Sequence, residues 1–171
     1  MAVRLRPPAH RVARSAVALW AIYGLFGALV LGAIGAGVAF GLDSWQPAWL
    51  PGVVAEHVWW APWIGLVLAA PGLLIEPLWR YTVHRWEVSG DVVYTLSGWF
   101  DREWRLVPIS RIQTVDTTAG ALERTFGLAT LRIRTASHVG SSEISGLPAP
   151  VARSLAHELA ERAGELRDDA T

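Results

Sequence analysis

AVALWAIYGLFGALVLGAIGAGVAFGL, residues 16–42, decides the architecture: it is 27 consecutive residues without a charge. A helix rises about 1.5 Å per residue and about 20 residues cross a bilayer, so this run spans one with tilt. It has no polar face to show water, which argues against a core helix of a soluble domain. It is also longer than the roughly 7–15-residue apolar core of a cleaved signal. A second uncharged run, residues 58–75, has 18 residues. It reaches the far interface once Leu78 and Trp79, beyond Glu76, are included. The reading is a hairpin of two membrane helices, 16–42 and 58–79, around an extracytoplasmic loop of residues 43–57.

The net charge is zero, but its distribution gives an orientation. Residues 1–15, a basic N-terminal segment, hold Arg4, Arg6, Arg11 and Arg14 and no acid. Arg80 and Arg85 follow the second span, and the loop between the spans carries only Asp43 and Glu56. Arginine collects on cytoplasmic flanks, so both termini are expected in the cytoplasm. All 15 basic residues are Arg, which with the abundance of Ala and Gly fits a GC-rich bacterial genome, so the expected location is a bacterial inner membrane. Trp45 and Trp49, then Trp59, Trp60 and Trp63, then Trp79 and Tyr81, mark the interfaces, where an apolar ring with one polar edge is at home.

Small residues recur every four positions: Ala61, Gly65 and Ala69 in the second span, and Ala28, Gly32 and Ala36 or Ala33, Gly37 and Gly41 in the first. Such rows let helix backbones approach, and Pro71-Gly72 is expected to kink the second helix. No charged side chain lies well inside either span, which argues against a transport path through this chain.

From residue 80 the pattern becomes short strands with turn signals. Strands are expected at residues 83–88, 92–99, 103–109, 112–118 and 129–135, with a short one near 141–144. Turns fall at Ser89-Gly90-Asp91 and Phe100-Asp101-Arg102. Leu131 and Ile133 alternate with Thr130, Arg132 and Arg134, so one face is buried and one is wet. Residues 121–126 read as a short helix ended by Gly127 in the left-handed conformation. Residues 148–166 read as an amphipathic helix with Val151, Leu155, Leu159, Ala152, Ala156 and Ala163 inward. Residues 167–171 form a frayed tail. The domain of residues 80–166 is expected to be α+β: an antiparallel barrel or sandwich closed by a C-terminal helix.

Gly98, Arg102, Glu103, Pro108, Arg111, Ile112, Gln113 and Val115, followed by Leu122, Glu123, Arg124, Gly127, Leu131, Ile133 and Thr135, carry a recurring pattern. In outline it is P-x-x-R-I-Q-x-V, then L-E-R-x-x-G-x-x-x-L-x-I-x-T. It resembles the bacterial pleckstrin-homology domain of the bPH2 (DUF304) type across most of residues 86–162. The two preceding membrane helices are similar to its YdbS-like subgroup. The resemblance implies a partner of the same family, typically larger and with several such domains, and a link to envelope homeostasis. Arg111 and Gln113 are the candidate interaction residues, although polar residues at strand ends are more often structural.

Chemistry for catalysis is absent from the pattern. There is no cysteine, and His10, His57, His84, His138 and His157 are scattered without metal-ligand spacing. Gly-rich GLFGALVLGAIGAG lies inside a membrane helix, so it is no phosphate cradle. No cofactor, metal or catalytic residue is assigned. The first hairpin turn has no Lys nearby, which argues against phosphoinositide binding. Residues 76–171 hold 11 Arg and 13 acids, which argues against nucleic acid. The expected function is a membrane-anchored, non-enzymatic interaction or scaffold module. Its partners would be the bilayer and another membrane protein, or a second copy. The alternative is an accessory subunit of an export or stress-response transport machine.

Overall fold

The computed structural model describes residues 6–98, 101–136 and 140–168. Arg4, Trp99, Phe100 of the expected turn, His138 and the tail from residue 169 lie outside the described residues. The chain divides into two units: the N-terminal segment to Leu19 together with Leu78 onward, and Trp20–Pro77.

The second unit is the helical hairpin. Helix α1 runs Ser15–Trp45, three residues past the expected end. Gln46 then takes a positive φ of 43°, the left-handed position that follows many helices. Pro51 precedes α2 (Gly52–His57), a 3-10 turn joins Val58–Trp60, and α3 spans Ala61–Leu74. The loop expected over 43–57 is therefore largely helical, because both helices continue beyond the apolar runs. The helix also passes through Pro71, and a single turn residue, Ile75, separates α3 from α4 (Glu76–Val83). Pro77 has no N–H to return to Leu73, so the interruption sits nearer Pro77 than the expected Pro71.

The helices pack antiparallel through glycine. A β-carbon on Gly24 would lie 2.6 Å from the Gly72 carbonyl oxygen, one on Gly35 2.7 Å from that of Ala61, and one on Gly65 2.9 Å from that of Leu31. Ala28 and Ala39 are buried along the same face. The steps 24, 28, 31–32, 35 and 39 alternate between four and three, so the Ala28–Gly32–Ala36 row is only partly used. Gly37 and Gly41 face open space, so the Ala33–Gly37–Gly41 row is not. A strict four-residue row drifts around a 3.6-residue helix, whereas steps of three and four stay on one side. Away from this seam Phe26, Phe40, Val67 and Leu68 are 66–72% exposed. Apolar surface on that scale requires lipid as its solvent.

The first unit is the β domain. One sheet has the order β1-β2-β3-β4, from His10–Arg11, Arg85–Ser89, Val92–Ser97 and Glu103–Pro108. The other has the order β5-β6-β7, from Ile112–Thr118, Leu128–Thr135 and Ser142–Pro148. All neighbouring strands are antiparallel. The strand expected over 83–88 begins only at Arg85, because α4 continues through Val83. The short strand near 141–144 extends to Pro148. Helix α5 (Ala121–Thr125) interrupts the second sheet, and α6 (Ala149–Asp168) closes the domain. Ala152, Leu155, Leu159 and Ala163 of α6 are buried against Ile109, Ile112, Leu131 and Ile133. Val151, expected inward, is exposed instead, since it leads the buried stripe by one residue. This is the expected antiparallel sandwich closed by a C-terminal helix.

The N-terminal segment, read from sequence only as a basic cytoplasmic N-terminus, belongs to this domain. His10 pairs with Trp86 and Arg11 with Arg85, and the Ala13 N–H donates to the Gly146 carbonyl on β7 at 2.8 Å. Arg6 and the Ala9 N–H both donate to the Glu87 carboxylate, at 2.6 and 2.9 Å. Pro8 and Val12 are buried. The segment thus links the edge of one sheet to the far strand of the other.

Candidate interaction surface

Arg111 ends a 3-10 turn, Ile109–Arg111, that joins β4 to β5. Pro108 closes β4, an edge strand where its missing donor costs no ladder bond. The Ile109 N–H donates to the Asp91 carbonyl at 2.8 Å, which holds the turn down, while Ile109 and Ile112 enter the core on either side of Arg111. Arg111 itself is exposed and has no ion pair among the described residues.

Gln113 sits at a register shift between Ile112 and Thr114, where β5 has an extra residue opposite β6. A bulge leaves its extra residue without a ladder partner, and Gln113 is exposed. The sequence carries no clear signal for this, because the polar-apolar alternation of IQTVDTT reads as regular strand. Five of the seven β5 residues are exposed, and β5 is the edge of its sheet. Arg111 and Gln113 therefore lie together on a short exposed stretch, beside the Ile109–Arg111 turn against which α6 packs.

The other residues of the recurring pattern have structural work. Glu123 accepts from the Gly120 N–H at 2.7 Å, which caps α5, and from the Thr130 hydroxyl at 2.7 Å. Gly127 takes φ +66° and its carbonyl accepts from the Ala149 N–H, tying the end of α5 to the start of α6. Gly98 has φ +122°, and any β-carbon there would strike the Asp101 carbonyl. On the wet face of the second sheet Arg132 pairs with Glu143 at 3.1 Å and Arg134 with Asp116 at 3.7 Å. Arg162 of α6 reaches the first hairpin turn, where it donates to the Gly90 carbonyl and pairs with Asp91 at 3.3 Å.

Each unit has a cavity among its described residues. A small one of about 30 Å³ is lined by Val12, His84, Arg85, Thr95, Glu143 and Ser145 among others. It is large enough for about one water and no organic ligand. Burial, and after it the Arg80 guanidinium, push the His84 imidazole down to about 4, so it is neutral at physiological pH. The larger, of about 250 Å³, lies within the hairpin unit among Leu42, Asp43, Gln46, Leu50, Ala55, Glu56 and Val58. Among the described residues no group of three or more His, Asp or Glu side chains could hold a metal ion.

A family model described as Bacterial PH domain matches residues 26–163. The chain belongs to this bacterial PH domain family. It is also 38% identical over 96 residues to the UPF0699 transmembrane protein YdbS of Bacillus subtilis (strain 168), a match covering 52% of this chain and 60% of that relative. No solved structure matches the chain significantly. With helices of mean hydropathy 2.2 and 1.7 that bury little of their surface, this is a membrane protein of the bacterial PH domain, YdbS-like type.

Proposed function

We propose that this bacterial PH domain protein is a membrane-anchored scaffold that acts by contact, without catalysis. The exposed edge around Arg111 and Gln113 is its binding surface for another membrane protein carrying the same type of domain. The observation that carries this reading is that exposed edge strand, with an unpaired guanidinium at its start and a bulged glutamine beside it. Edge strands with free backbone groups are natural docking rails, and Arg is enriched at interfaces. The hairpin tether limits the domain's reach, which suits a partner in the same bilayer better than a diffusing substrate. The complex would serve envelope homeostasis, with both termini in the cytoplasm. Supporting that orientation, Arg11, Arg14, Arg80 and Arg85 flank the spans. The pairing of β1 with β2 also supports both ends of the hairpin lying on one side of the bilayer.

The test is photo-crosslinking from position 113 in membranes, followed by mass spectrometry, with and without Arg111→Glu. The expected product is a membrane protein with bacterial PH domains, and Arg111→Glu should reduce it about tenfold, the effect of about 1.4 kcal/mol. Recovery of a transport ATPase or permease would favour the accessory-subunit alternative. Undiminished recovery with Arg111→Glu would remove this surface from consideration.

A further inference from the structure

Two basic segments far apart in sequence meet in the β domain. Arg11 on β1 lies directly opposite Arg85 on β2. Directly opposed residues of an antiparallel pair share a face, with β-carbons about 5 Å apart, and like charges there are destabilising. Trp86 and Val88 on the other side of β2 pack against the core, whereas Arg11 is exposed and Arg85 is half-buried. Neither charge is neutralised: among the described residues Arg11, Arg14 and Arg85 have no ion pair. The Arg11 guanidinium stands 5.7 Å over the Tyr81 ring instead. Nearby acids are already engaged, Glu87 with Arg6 and Glu143 with Arg132. Residues 8–15 and 77–86 contain no Asp or Glu at all.

This concentration of charge has a fixed place. Arg14 immediately precedes α1, and Tyr81 lies in α4, at the end of the second apolar span. Both positions are at a membrane–water interface. Two arginines directly opposed on paired strands, with no carboxylate partner among the described residues and an amphipathic ring beside one of them, carry the charge that attracts a phosphate. We propose that Arg11, Arg14 and Arg85 form a site for the headgroup phosphate of an anionic phospholipid in the bilayer that holds the chain's own helices. The bound phosphate screens the opposed arginines and fastens the β1 segment to the membrane surface. The site is separate from the Arg111–Gln113 surface and does not depend on the partner reading.

The test uses the full chain in nanodiscs of phosphatidylcholine alone, of phosphatidylcholine with phosphatidylglycerol, and of phosphatidylcholine with added inorganic phosphate. Thermal midpoints are read in each, together with lipid retained in native mass spectrometry. Phosphatidylglycerol should raise the wild-type midpoint, and inorganic phosphate should not. Arg85→Gln should leave the midpoint equal or higher in phosphatidylcholine, because a repulsion is removed, yet lower it relative to wild type with phosphatidylglycerol. Retained phosphatidylglycerol should fall about fivefold per arginine removed. Equal lowering in both lipids would make Arg85 merely structural and overturn the site. So would a full midpoint increase from inorganic phosphate, or an equal loss of lipid from Arg153→Gln on the exposed face of α6.

Discussion

Burial and the neighbouring Arg80 depress the His84 imidazole from 6.5 to about 4, and this has a consequence for stability. The unfolded chain takes up a proton near pH 6.5, while the native domain resists it until about pH 4. The native state is therefore favoured fully above pH 6.5. It loses stability progressively as the pH falls from 6.5 toward 4, by less than the roughly 1.4 kcal/mol per pH unit of a fully buried group, because His84 is partly exposed and solvent screens the effect. Chemical denaturation of the detergent-solubilised chain at pH 7 and pH 4.5 measures this, and His84→Gln should flatten most of the difference. A difference of full size in the variant would assign the loss to other groups. His84 was visible in the sequence only as one of five scattered histidines, since desolvation is a property of what packs around it. Gly127 was legible, because a helix ending at a lone glycine implies a left-handed residue, and it takes φ +66°. The bulge at Gln113 was not, because its register is set by the partner strand β6.

The helical hairpin was legible as two spans, but the face each helix turns to the other was only half legible. Alanine and glycine are frequent throughout α1, so several rows satisfied the small-residue rule, and the antiparallel register selects among them. Contrasting substitutions test the selection. Gly65→Leu places atoms where a β-carbon alone would already be 2.9 Å from the Leu31 carbonyl. It should destabilise the pair by about 1–3 kcal/mol in detergent denaturation. Gly37→Leu, where nothing lies within 4 Å, should be close to neutral. Equal effects would mean that the seam runs along another face. The strands show the same division: β6 announced itself by alternation, whereas β1, two residues long, has too little sequence to alternate.

For the molecule as a whole, the pairing of His10–Arg11 with Trp86 and Arg85 sets a constraint that charge counting alone does not. A phosphatase or fluorescent reporter after Thr171 should report the cytoplasm, and one inserted near Gln46 the outside. The reverse pattern would overturn the arginine-based orientation, and reporters on opposite sides at the two termini would be incompatible with the β1–β2 pair. The two helices long and apolar enough to cross a membrane, the small antiparallel domain after them and the C-terminal helix that closes it were all legible in the sequence. Each of these follows from local periodicity or from the length of an apolar run, and neither needs a distant partner to be read. That residues 6–13 complete the β domain, that Arg11 stands opposite Arg85 on the paired strand, and that Arg162 ties α6 to the first hairpin turn became visible only in the folded chain. Those contacts join positions more than 70 residues apart, and no local pattern of side chains encodes which distant backbone will offer the matching edge or charge.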